Sequence, residues 1–278
     1  MVQLPRNHAA LEELLYQSYV KKADKELMLT RIGASGIGEE CVRAIWYDWR
    51  GVQNSTPEGR VLRLFETGHQ QEARVVQDLK DAGLMVWEVN PETGKQWTFT
   101  AFDGHFVCKP DGVVKGVPGA EKTPHILEIK TSNVNGFKEI EKRGVKEAKP
   151  EHYYQMQSGM WLADMTRALY VVVRKDDEKF YIERVQRDEE AIADIQRKLQ
   201  TLTESMLPPV RLAEKEGDWR CKFCDGKEVC WGKEQPIINC RTCQHSSIKT
   251  DGGWYCNQLS IELTYNAQLK GCDLWMSH

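Results

Sequence analysis

Long hydrophobic runs are missing from this chain. None approaches the ~20 apolar residues that a membrane-crossing helix needs, so a helical membrane protein is excluded. The opening stretch, Met1 to Ala10, has no apolar core of the kind a secretory leader carries, and a cytosolic protein with no membrane partner is expected. An excess of one charge is missing too: 38 Lys and Arg against 41 Asp and Glu leave a net charge of -3. Bulk charge therefore does not select a polyanionic partner, and binding nucleic acid would need a local positive track. Repeats and low-complexity tracts are absent too.

Cysteine, by contrast, is plentiful: nine residues, eight of them in recognisable patterns and Cys108 standing apart as an expected core thiol. In a reducing compartment clustered cysteines bind metal more often than they pair as disulfides, which are the alternative. Cys221, Cys224 and Cys230 form C-x2-C-x5-C; Cys240 and Cys243 form a knuckle, followed by Cys256 and Cys272. The last four suit a tetrahedral Zn²⁺ site, with His245 as a spare ligand. A rival partition groups Cys221, Cys224, Cys240 and Cys243 at zinc-ribbon spacing and leaves the others unassigned.

Apolar periodicity predicts a helix over 8–29, with apolar positions Leu11, Leu14, Leu15, Tyr19 and Leu27. A second helix carries Cys41, Arg43, Trp46 and Tyr47, and a longer one spans 60–82. Strand-like stretches follow at 84–89, 96–108, 111–115 and 125–131, read as a meander. Helices at 135–146 and 152–164, strands at 168–174 and 180–186, and an amphipathic helix at 188–206 complete the core. The order predicts an α/β or α+β fold: a mixed sheet flanked by helices, with a small C-terminal cysteine-rich module. The expected divisions are 1–215 for the core, 216–235 for a cysteine segment closing on Cys41, and 236–278 for the zinc module.

The chemistry-bearing residues sit in the middle. Cleaving a phosphodiester requires charge neutralisation at the phosphate and a water delivered in line, which divalent ions held by carboxylates provide. Pro110-Asp111-Gly112 lies between strand-like stretches, and Glu128-Ile129-Lys130 lies within an apolar strand. Glu128 and Lys130, two apart, share a strand face. A hairpin pairing would bring Asp111 beside them. The acidic-x-Lys triplet by itself is weak, since it recurs at Asp78/Lys80, Glu147/Lys149, Asp177/Lys179 and Asp225/Lys227, and a surface salt bridge is the ordinary alternative. Flanking residues sharpen it: Glu72, with His69 as second candidate, on the 60–82 helix, and Gln155 and Gln157 on the 152–164 helix.

In order, Gly68/Glu72, Asp111, Glu128/Lys130 and Gln155/Gln157 resemble the RecB-like and phage-recombination-exonuclease branch of the PD-(D/E)xK nuclease superfamily, over about residues 30 to 230. Trp161 stands where tyrosine is usual, and the choice between the two glutamines stays open. The resemblance implies a DNA exonuclease in phage or bacterial recombination and repair, in the bacterial or phage-infected host cytosol. It implies Glu72, Asp111, Glu128 and Ile129 as the Mg²⁺ or Mn²⁺ positions, and Lys130 with a glutamine in catalysis. Cys41 before these motifs and Cys221, Cys224 and Cys230 after them resemble the iron–sulfur nucleases of the AddB and CRISPR-adaptation type, which implies a structural 4Fe-4S cluster. DNA is the expected partner, single-stranded or with free ends, along with a recombination or single-strand-binding protein. Alternatives are a structure-selective or nicking endonuclease and a catalytically inert DNA-binding module. For DNA contacts the sequence offers Lys138, Lys142, Arg143, Lys146 and Lys149, a second track of Arg31, Arg43 and Arg50, and Trp46, Tyr47 and Trp254 for stacking on bases, with buried packing the more common fate of such aromatics. Interleaved Glu139, Glu141 and Glu147 make a solvated helix face an equal reading of the lysines.

Overall fold

The computed structural model describes residues 9–23, 31–53 and 57–278. Its elements run α1 (Ala9–Lys22), β1 (Ile32–Gly33), α2 (Val42–Arg50), α3 (Gly59–Asp81), β2 (Met85–Trp87), β3 (Phe99–Ala101), β4 (Phe106–Cys108), β5 (Gly112–Lys115), β6 (His125–Ser132), α4 (Val134–Ala148), α5 (Pro150–Leu162), β7 (Arg167–Arg174), β8 (Phe180–Gln186), α6 (Glu189–Glu204), α7 (Lys227–Cys230), β9 (Ser246–Ile248), β10 (Trp254–Cys256), β11 (Ile261–Leu263) and α8 (Tyr265–Gln268). No helix among the described residues is long and apolar enough to cross a membrane.

The central sheet has the order β2-β5-β6-β7-β8. All neighbours are antiparallel except β6 and β7, which are parallel. Parallel neighbours need a long crossover, and α4 with α5 supplies it. The β7 run Ala168-Leu-Tyr-Val-Val-Val173 is buried on both faces, as a central strand requires. Leu127, Ile129, Leu169 and Val171 pack on one face with Val75 and Val76 of α3. Ile126, Tyr170 and Val172 pack on the other with Phe137 of α4 and Met156 and Met160 of α5. The fold is thus a mixed α+β sheet flanked by helices, as expected.

The structure departs from the expected pattern in four places. The 96–108 run is two strands: Phe102, Asp103 and Gly104 take positive φ (50°, 55° and 84°) and fold it into a β3-β4 hairpin. That hairpin leaves the central sheet and pairs with β1 instead. The 135–146 helix is kinked at Gly144, where φ is 71°. On α1 the leucines Leu11, Leu14 and Leu15 are exposed, because the helix lies on α3 by another side; Tyr16 backbone packs against Gly59 so closely that a side chain at 59 would collide with it. Leu27 lies outside the described residues. Met206, the last residue of the amphipathic helix expected over 188–206, is exposed past the end of α6.

The C-terminal segment does not stand apart. Trp254 and Leu263 share one apolar cluster with Trp46 and Trp49 of α2 and Leu199 of α6. Arg50, 1% exposed, lies 4.5 Å from the Trp46 ring centre and 5.0 Å from that of Trp254, and donates to the Arg241 carbonyl at 3.0 Å. Arg241 donates to the Trp49 carbonyl at 2.9 Å, and Asn239 to that of Gly51 at 2.9 Å. Buried guanidinium groups are costly unless aromatic faces and carbonyls receive them; here both do.

Candidate active site

Glu128 and Lys130 leave β6 on the side covered by α5, the same side as Ile126. Glu128 is 1% exposed and forms an ion pair with Lys130. Asp111 precedes β5, and its backbone N–H donates to the Leu127 carbonyl at 3.2 Å. Its side-chain Oδ2 accepts from the Ile129 N–H at 2.6 Å. The hairpin thus brings Asp111 to the Glu128–Lys130 pair.

Electrostatics show two carboxylates crowded by burial. Burial, outweighing the attraction of Lys130 and reinforced by Asp111, pushes Glu128 up to about 8. Burial likewise raises Asp111 against the pull of Lys130 and the Ile129 N–H. Glu72 on α3 is raised by burial and then by Asp111, which places it in the same field. Burial pulls Lys130 down, but Glu128 and Asp111 outweigh it, so its ammonium stays charged. Both members of the Glu128–Lys130 pair are raised. The lysine proton is the firm one, and the Glu128 proton is the one a cation would displace.

Such a set, underneutralised carboxylates around one ammonium, fits a divalent cation with oxygen ligands. Ile129 has a buried aliphatic side chain and can contribute only its backbone carbonyl. Among the described residues, no three His, Cys, Asp or Glu side chains converge tightly enough to hold an ion as they lie.

The two glutamines separate. Gln157, fully buried, donates to the Gln186 carbonyl at 2.9 Å and accepts from the Asp188 N–H at 2.9 Å. Both ends of its amide are committed to the β8–α6 junction, so it serves packing and does not reach Lys130. Gln155 lies on another side of α5, three residues from His152. His69 is exposed, and its charge is felt by Asp111 and Glu72. Sequence reasoning missed His152 and Tyr170, whose ring nitrogen Nδ1 and hydroxyl are 2.6 Å apart beside Glu128 and Lys130. Only strand register, Glu128 opposite Tyr170, could have pointed to them.

The cysteines fall into two groups in space. Cys41, which caps α2, lines a cavity of about 650 Å³ with Cys221, Cys224 and Cys230. Cys240, Cys243, Cys256 and Cys272 line a cavity of about 20 Å³ together with His245, room for roughly one water-sized body. Cys221 and Cys224 are thereby parted from Cys240 and Cys243, against zinc-ribbon grouping. All nine thiols are free, and Cys108 is buried against Gly159.

The expected DNA contacts are thinner. Lys138 and Lys142 are exposed on α4, but Lys146 is ion-paired with Asp188. Arg43 donates to the Tyr47 hydroxyl and the Pro209 carbonyl. Arg50, Trp46, Tyr47 and Trp254 are buried and cannot meet a phosphate or a base. Each is held inside by the packing that joins α2 to the C-terminal segment. Arg31 remains exposed.

Residues 66–166 match the YqaJ-like viral recombinase domain family. The match spans just over a third of the chain and contains Glu72, Asp111, Glu128, Lys130, His152 and Gln155. Among curated proteins none matches. Among solved structures, the chain is similar to an alkaline exonuclease from Laribacter hongkongensis, at 19% identity over 67% of this chain and 90% of that one, with a TM-score of 0.44. It is also similar to a phage-related exonuclease from Haemophilus somnus, at 15% identity over 62% of this chain and 91% of that one, with a TM-score of 0.45. The fold assignment rests on the topology above, and the family likeness on the matched residues.

Proposed function

We propose that the protein is a metal-dependent DNA exonuclease acting in phage or bacterial recombination, in the cytoplasm of the host cell. The observation that carries the reading is the hydrogen bond from the Ile129 N–H to Asp111, which holds a second carboxylate at the Glu128–Lys130 pair. The match of residues 66–166 to a viral recombinase domain supports the recombination setting.

Glu72, Asp111 and Glu128, with the Ile129 carbonyl, would hold Mg²⁺ or Mn²⁺. The bound cation supplies charge neutralisation at the scissile phosphate and lowers the pKa of a water. Lys130, kept charged by the carboxylates, orients that water or stabilises the charge that develops on the phosphate. Asp111, fixed by a backbone donor, sets the geometry without a flexible partner. Glu128 must give up its proton for the site to load, which its raised pKa makes sensitive to pH.

The four cysteines of the larger cavity would hold a structural iron–sulfur cluster, which needs four thiolates. Those of the smaller cavity would hold Zn²⁺. The first would tie α2 to the chain beyond α6, and the second would close the C-terminal segment.

The test is degradation of end-labelled linear DNA with Mg²⁺ or Mn²⁺, comparing wild type with Lys130→Ala and linear with covalently closed DNA. Metal-dependent loss of linear DNA alone, abolished in the variant, supports the exonuclease. Cutting of closed circles assigns an endonuclease. Binding with no cleavage by either protein refutes the enzyme reading.

A further inference from the structure

Tyr170 stands on β7 in register with Glu128 on β6, and its side chain leaves the sheet on the same face. It is fully buried. Burial, then the nearby carboxylates of Glu128, Glu151 and Glu183, raise its pKa, so the phenol keeps its proton. A buried hydroxyl with a proton needs an acceptor. The partner the structure shows is Nδ1 of His152, at 2.6 Å.

That bond decides the tautomer. With Tyr170 donating to Nδ1, a neutral imidazole carries its hydrogen on Nε2. Nε2 therefore offers a donor and no lone pair, which suits an anionic oxygen and not a cation. Among the described residues Nε2 meets no protein acceptor, and it is not sealed from solvent. The ring is half-buried at the start of α5 and feels the charge of Lys130, which after burial is the largest influence on it. An N–H that no protein acceptor takes up thus lies within the field of the Lys130 ammonium, at the site where the nuclease reading puts the phosphodiester.

We propose that His152 donates from Nε2 to a non-bridging oxygen of the DNA phosphodiester bound at this site, and that Tyr170 is the positioning residue that fixes its tautomer. The inference rests on the nuclease reading and adds a substrate contact to it. Oriented donors aimed at phosphate oxygens act without reorganisation, and loss of one such donor elsewhere costs about 100-fold or more in kcat.

The experiment compares wild type, Lys130→Ala, His152→Ala, His152→Gln and Tyr170→Phe on end-labelled linear DNA, with the melting temperature of each. A second readout is the ¹⁵N resonance of His152 in the Lys130→Ala protein, assigned by its loss in His152→Gln, as a short oligonucleotide is added. Expected are a kcat loss of about 100-fold in His152→Ala with a nearly unchanged KM. Partial recovery is expected in His152→Gln, whose amide nitrogen can replace Nε2. Tyr170→Phe should fall between, and the resonance should move with DNA. Wild-type turnover in His152→Ala, with Lys130→Ala inactive, overturns the inference and leaves the nuclease reading standing. If the wild type is itself inert, the nuclease reading falls, and the resonance still decides: one that ignores DNA removes the phosphate contact.

Discussion

Asp111 and Ile129 are joined by a 2.6 Å hydrogen bond, from a backbone N–H of β6 to a carboxylate at the start of the neighbouring β5. The bond aligns the side chain but does not neutralise it; burial still raises the pKa of Asp111. Asp111→Asn keeps an oxygen to accept that bond while removing one charge from a crowded set. Cleavage should fall by at least about 100-fold, because cation affinity follows ligand charge. Thermal stability without cation should hold or rise, since function and stability oppose each other at such sites. A melting temperature several degrees lower would show that crowding is not the dominant effect.

Glu128 gives the pH dependence. Its pKa is pushed up to about 8 in the folded protein, against about 4.3 in an unfolded chain. Between those values the folded state holds a proton that the unfolded state has released. Stability without cation therefore falls as pH rises through that window and levels above it. Cation and proton compete for Glu128, so the rise in melting temperature caused by Mn²⁺ should grow over the same range. Melts from about pH 5 to about pH 9 would measure it, and a rise independent of pH would remove Glu128 from the ligand set.

Gln157 and Gln155 should part company on substitution. Gln157→Ala leaves the Asp188 N–H and the Gln186 carbonyl without their partner at a part-buried junction and empties a buried side-chain site. A loss of roughly 1–3 kcal/mol in denaturant unfolding follows, with turnover of the folded enzyme nearly unchanged. A collapse of kcat at normal stability would return Gln157 to the catalytic set.

Arg50→Ala removes the guanidinium that lies between Trp46 and Trp254 and donates to the Arg241 carbonyl. The cavity and lost contacts should cost roughly 2–5 kcal/mol. Tryptophan fluorescence should report loosening of the C-terminal segment. An unchanged unfolding midpoint would mean that the segment is held by its cysteines alone.

The two cysteine groups should load independently. Cys230→Ser should lose iron and retain zinc, and Cys256→Ser the reverse, by elemental analysis of purified protein. Joint loss of both metals in either variant would contradict two separate sites.

Much of this protein is written in local patterns. The apolar run that marks β6, the Pro-Asp-Gly turn before β5 and the 3.6-residue period of α3 and α6 are properties of neighbours in sequence, and with the flanking residues and the family resemblance they nominated Asp111, Glu128 and Lys130 as candidates. Spacing alone left two partitions of the tail cysteines open; in space Cys221, Cys224 and Cys230 line one cavity, and Cys240, Cys243, Cys256 and Cys272 another. Tertiary structure decided what spacing cannot encode. Gln155 and Gln157 are equivalent by type, but helix phase sends Gln157 to the β8–α6 junction. Trp46, Arg50 and Trp254 resemble a nucleic-acid surface in sequence, yet they are buried because the C-terminal segment folds back onto α2. His152 carries no motif; its place beside Lys130 follows from the parallel pairing of β6 and β7, which sets Tyr170 opposite Glu128 under α5. Exposure and register depend on contacts between distant segments, and those are settled only when the whole core closes.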